Sequence, residues 1–264
     1  MTEKTLNNRK NGMVVLLLLV LVYVASVVLF IFGVSYDILP LTLISCVWFV
    51  FGWIFFLGLK VLKPQEALVL TLFGKYVGTL KNSGFYFVNP FCTAVNPAAG
   101  TKLNQSGDVK VLGAKQPSGG VDVSIDIPTK KISLKIMTLN NNRQKINDCL
   151  GNPVEIGIAV MWRVVDTAKA VFNVDNYKEY LSLQCDSALR NIVRIYPYDI
   201  APNVDTTGDG IADEGSLRGS SEVVAARIKD EIQDKVSEAG IEILEARITY
   251  LAYAPEIAAV MLQR

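Results

Sequence analysis

Two adjacent runs without a charged side chain govern what this chain can fold into: Met13 to Val34 and Ile38 to Leu59, each about 22 residues long. A helix of roughly 20 apolar residues crosses the hydrocarbon core of a bilayer. Neither run has the polar face that a surface helix of a soluble domain keeps in water. The pair therefore reads as a two-helix membrane anchor. The first run is too long for the apolar core of a cleaved signal peptide, and residues 33–37 lack a small-x-small cleavage pattern. Between the runs, Ser35, Tyr36 and Asp37 leave room only for a tight hairpin turn.

Basic residues flank the outer ends of this hairpin. Lys4, Arg9 and Lys10 precede it and Lys60 and Lys63 follow it, while the turn holds none. The positive-inside bias predicts a cell membrane protein (plasma or inner membrane) whose termini and downstream domain are cytoplasmic, with residues 1–12 as a short cytoplasmic segment. Pro40, near the start of the second run, leaves a shallow re-entrant hairpin as the alternative topology.

Residues 60–264 hold equal numbers of acidic and basic side chains. Such a balance offers no long-range field for DNA or RNA, so no nucleic-acid partner is expected. The chain has no histidine, which excludes Ser/His and Cys/His nucleophile pairs and imidazole-ligated metals. Its four cysteines are far apart and form no Cys-x-x-Cys pair. Cys46 falls in the second apolar run, and Cys92, Cys149 and Cys185 read as reduced core thiols.

Hydrophobic period places the elements. Strands are expected at residues 67–73 and 76–80, then over the aromatic stretch 85–91, which Pro90 stops. Residues 98–128, rich in Gly, Pro and polar side chains, read as a long surface loop or weak hairpin. Alternation resumes with Ile132, Leu134 and Ile136 on one face, and again from Val154 through Val164. Asp166 is placed to cap a helix over 167–172, and Asn176 with Glu179 to open a helix running to Pro197. Ser220 or Ser221 opens another, striped by Val224, Ile228, Ile232 and Val236, with Arg227–Glu231 and Glu231–Lys235 as exposed pairs and Gly240 as its stop. A strand over 241–253 follows, and Pro255 begins a last helix. The order predicts an α+β domain of antiparallel strands packed on helices, preceded by a transmembrane helical hairpin.

Four segments carry a family resemblance. Residues 61–91 read Pro, a residue pair, a strand, Phe-Gly-Lys-Tyr, then Gly before a strand ending in Asn-Pro-Phe. With residues 145–177, 188–200 and 221–262, in that order, they resemble the SPFH or Band 7 superfamily of stomatins, prohibitins and flotillins. The resemblance implies an SPFH domain over 60–264 and a non-enzymatic membrane scaffold. Such proteins form homo-oligomers on one membrane face, organise lipid-protein microdomains, and regulate partner channels or membrane proteases. A one-to-one regulatory adaptor of such a protease or channel is the alternative. Two departures stand out. Residues 98–128 look like an insertion. Family chains also continue beyond a segment like 251–264 into a long Ala/Glu-rich coiled coil, whereas this sequence stops at Arg264, which weighs against cage-like assembly.

Other candidate sites are weaker. Asp205, Asp209 and Asp213 around Gly210 follow part of a calcium-loop pattern. Thr207 and Ser216 stand where the loop needs carboxylates, so an acidic surface loop is expected and no metal or other cofactor. Cys92, near the anchor, is an acylation candidate, with a buried thiol as the expected state. The 224–236 stripe reads as core, and Ile257, Val260 and Met261 as contacts between subunits.

Overall fold

The computed structural model of the chain describes residues 2–6, 11–101, 103, 130–141, 143–199 and 216–261. Contacts divide it into two compact units. One holds the described residues up to Asn96 with 130–133, and the other holds 97–103 and everything from Leu134 onward.

The first unit opens with α1 (Gly12–Ser35) and α2 (Leu39–Phe51). The second apolar run is not α-helical throughout: from Gly52 to Gly58 it tightens into a 3-10 helix. Strands β1 (Leu59–Leu62), β2 (Glu66–Leu72), β3 (Lys75–Leu80), β4 (Gly84–Phe87), β5 (Cys92–Ala94) and β6 (Ile132–Ser133) follow. All their pairings are antiparallel. β2 is flanked by β3 and β5, β6 pairs with its start, and β1 pairs with β4. Leu62, Leu68, Leu70, Leu80, Tyr86 and Val88 fill the core. Cys92 joins them, and burial raises its thiol pKa. Glu66 ties the ends of this sheet together, accepting from Lys131 Nζ (2.9 Å) and Lys63 N (3.1 Å). Burial raises the Glu66 pKa, but these hydrogen bonds and the two lysine charges outweigh it and leave the group below its usual value. A depressed carboxylate stabilises the fold above its unfolded pKa and loses that contribution as pH falls through the folded one. Glu66→Gln is therefore expected to cost less than about 1 kcal/mol at pH 7 and nothing at pH 2, a difference that thermal melts at the two pH values would detect.

The second unit is built on β9 (Pro153–Val164), whose partners are β10 (Ile241–Tyr253) on one side and β7 (Met137–Asn140) and β8 (Gln144–Asn147) on the other. Val154, Ile156, Ile158, Val160 and Trp162 of β9 are wholly buried, each worth about 1.5–3 kcal/mol of transfer free energy. Helices α3 (Thr167–Phe172), α4 (Tyr177–Val193), α5 (Ser221–Val236) and α6 (Pro255–Met261) complete the unit. The α4 residue Tyr177 packs edge-on against Trp162, with ring centroids 6.3 Å apart. Caps fall where expected: Asp166 accepts from Lys169 N, and Asn176 from the amides of Lys178 and Glu179. Val224, Ile228, Ile232 and Val236 are wholly buried, so that stripe is core. At Gly240 the chain turns with φ +66°, its Cα pressed against the Asp166 carbonyl where no side chain fits.

Several expectations are corrected. The alternation at 131–136 is not one strand: Ile132 is buried against β2, the chain bends at Lys135, and Ile136 is 61% exposed before β7 begins. Two short pairings to different sheets mimic a single strand's period. Helix α4 stops at Val193, and its exit bonds reach back three residues (Ile195 N to Ile192 O, 3.0 Å), because the residue before Pro197 is kept from the helical region. Arg227 does not pair with Glu231; it lies over the Tyr196 ring at 5.5 Å, while Glu231 bonds Lys235 at 2.9 Å. Ser220 makes no side-chain cap. Cys149 is exposed, on the turn before β9, whereas Cys185 is buried and its pKa is pushed up to about 12 by burial and then by Asp186.

Candidate membrane interface

An α-helix of 24 residues, as α1 is, reaches about 36 Å. Helix α2 with its 3-10 extension has 20 residues, and the steeper 3-10 rise of about 2 Å per residue lengthens its reach. Both are long and apolar enough to cross a membrane. The two helices pack side by side through aromatic rings: Tyr23 lies 6.1 Å from Trp48, 6.2 Å from Phe49 and 5.7 Å from Phe56, and Phe30 lies 6.4 Å from Phe49. Three aliphatic hydroxyls bond within their own turns, Ser26 on Tyr23 O (2.8 Å), Thr42 on Leu39 O (2.8 Å) and Ser45 on Leu41 O (2.9 Å), whereas the buried Tyr23 hydroxyl and Trp48 indole N–H find no partner among the described residues. Bonding of the three hydroxyls to their own helix is what a hydrocarbon solvent favours. The outward side chains, Leu17, Leu21, Val24, Val28 and Ile31 among them, stay exposed in a continuous apolar face. Water does not tolerate a face of that size, whereas lipid chains do.

Both ends of the hairpin return to the first unit, though to different sheets. At its exit, β1 begins directly after Gly58, whose carbonyl accepts from Val88 N (2.9 Å). Before its entry, residues 2–6 run beside β3: Thr79 N donates to Lys4 O (2.8 Å), Leu6 N to Thr79 O (2.9 Å), and Lys81 bonds Glu3 (2.6 Å). Leu6 packs into the unit's core. No period or turn residue in the sequence signals this clip, because a single parallel bridge needs no pattern.

A second feature escaped sequence reading. Phe73 and Phe91, 88% and 60% exposed, stack at 6.4 Å with an interplanar angle of 25°. Phe73 has φ +48° and Gly74 φ +82°, the positive pair that a two-residue hairpin turn requires. A bulky residue there is strained by about 1–2 kcal/mol. The Asn89 side chain holds the other loop by accepting from Phe91 N (3.0 Å). Leu72 and Cys92, which precede Phe73 and follow Phe91, are register partners in the sheet. The signal available in sequence was the Phe-Gly pair itself, an aromatic where a turn asks for Asn or Asp.

Asp205, Asp209 and Asp213 lie outside the described residues. Among the described residues no cluster of three metal-ligating side chains occurs. Ile257 is half-buried in the first turn of α6, and the side chains of Val260 and Met261 lie outside the described set. The chain matches the SPFH domain / Band 7 family over residues 60–264. No curated protein matches it.

Proposed function

Because the chain belongs to the SPFH domain / Band 7 family, we propose that it is a non-enzymatic membrane scaffold that self-associates on the cytoplasmic face and organises lipids and membrane proteins around it. The observation that carries this reading is the return of both hairpin ends to the same compact unit, through the residue 2–6 clip on β3 and through the pairing of β1 with β4. That arrangement supports an anchor whose two ends share one side of the bilayer. Lys4, Lys60 and Lys63 on that side, against Asp37 in the turn, support the cytoplasmic assignment. The strained, exposed Phe73–Phe91 pair supports contact with the headgroup region, where aromatic side chains are favoured. The absence of histidine from the sequence supports a non-catalytic role.

The adaptor reading shares the same anchor and differs in stoichiometry. Light scattering of the gently solubilised protein, corrected for bound detergent, separates the two. A mass of many subunits is the expected result. A monomer near 29.0 kDa would overturn self-association of residues 1–264 and favour the adaptor.

A further inference from the structure

The edge of β10 carries backbone groups that nothing among the described residues of the second unit takes up. Asn141 N bonds Ile158 O (2.8 Å), and β7 pairs Leu139 with Val160 and Met137 with Trp162. In an antiparallel strand, successive residues direct their N–H and C=O to opposite sides. Ala159 and Met161 therefore turn toward β10, where they face Arg247 and Glu245 in regular register. Ala246 and Ile248 between and beyond them point their N–H and C=O groups away from β9.

Upstream on the same edge, Ile241 and Ile243 point the same way, and there α5 supplies the partner. Gln233 donates from Nε2 to Ile241 O (3.1 Å) and accepts from Ile243 N at Oε1 (2.7 Å). Its side-chain amide stands where the peptide group of a neighbouring strand would. Two turns earlier α5 presents Ala225 and Ala226, too short to reach the edge. Between them and Ala246 and Ile248 an open groove of about 540 Å³ remains.

We propose that this groove binds one extended segment of a partner protein, which adds to β10 as a further strand. The occupant's backbone would repeat at Ala246 and Ile248 what Gln233 does at Ile241 and Ile243. Alternate side chains of the added strand would lie on Ala225, Ala226 and Ala246, which suits aliphatic residues at every second position. The rim is neutral: Glu245 bonds Arg247, and Glu222 and Lys229 oppose each other in sign. Binding therefore draws on backbone hydrogen bonds and apolar contact, with little dependence on salt. A helix has no free backbone groups to offer this edge. The β10 edge of a second copy would bring its own α5 into the space. This proposal stands apart from the scaffold reading and survives a monomeric mass.

The test uses the full chain in detergent micelles and random heptapeptides displayed on phage, selected on the wild type. Enriched peptides are expected to alternate aliphatic residues, lack proline, and bind equally at 50 and 300 mM salt. Ala246→Pro removes the outward N–H without touching the ladder to β9 and is expected to weaken them at least tenfold. Ala246→Ser, which keeps the N–H, is expected to bind as the wild type does. Ala226→Phe, at an exposed helix position, fills the groove and gives the same loss should the proline variant fail to fold. Amide exchange at Ala246 and Ile248 is expected to slow in the complex. An unenriched library, binding unchanged in the folded variants, or protection elsewhere on the chain would overturn the proposal.

Discussion

Val24→Arg is expected to drive most of the protein out of carbonate-resistant membranes. Val24 sits at the middle of α1 and is 59% exposed on the outward apolar face of the hairpin. A central arginine costs about 2.5–3.5 kcal/mol on insertion, a shift of roughly a hundredfold in the inserted fraction. The residue lies near the midpoint of a helix long enough to span, so snorkelling reaches neither interface easily. Two controls isolate the effect. Val24→Leu is expected to behave as the wild type. Val223→Arg, on the exposed side of α5, is expected to stay within about 0.5 kcal/mol in stability and remain membrane-bound. Full retention of the Val24→Arg protein after carbonate extraction would mean that α1 does not lie in the hydrocarbon.

The second large effect is expected at Asp148, a buried acid of the second unit, 5% exposed. Its Oδ1 accepts from Leu150 N (2.9 Å) and Asn152 N (2.7 Å), and its Oδ2 from Asn152 Nδ2 (3.1 Å) and Tyr198 N (3.2 Å). One carboxylate thus shapes the turn that feeds β9 and fastens it to the segment leaving α4. Asp148→Ala orphans three backbone donors at once. A hydrogen bond to a charged group contributes about 1.5–3 kcal/mol, and an orphaned buried donor costs about 1–3. Allowing for partial rescue by water, a loss of about 3 kcal/mol is expected. For a unit of this size that lowers Tm by roughly 6–12 °C. Asp148→Asn keeps one acceptor oxygen but turns an amine toward two donors, and an intermediate loss is expected. A melting temperature for Asp148→Ala within 2 °C of the wild type would show that the turn is held by other contacts.

Most of the second unit was legible in its residues. The caps at Asp166 and Asn176, the α5 stripe, the stop at Gly240 and the existence of strands β9 and β10 are all local patterns, and a side chain's period reports its burial when the whole element packs on one core. The pairing of β9 with β10 is not local, and only the structure shows it. The reading failed where one stretch serves two cores. Ile132 is buried under β2 and Leu139 under β9, so the alternation through Lys135 belonged to no single strand. Strand β1 was missed because it is only four residues long and begins on the last residue of the apolar run, too short to show a period of its own. Cys149 looked like core because thiols usually are, yet the turn around Asp148 carries it to the surface.

The functional features divide in the same way. The pair of long apolar helices was legible in sequence alone, since uncharged length is a property of composition and order. The family, too, was carried by ordered local segments. Only the tertiary structure decided the other three: the clip of residues 2–6 on β3, the stacking of Phe73 on Phe91, and the half-filled edge of β10 beside α5. Each depends on a meeting of residues far apart in the chain, and no period along the sequence encodes which backbone groups a distant element reaches and which it leaves open.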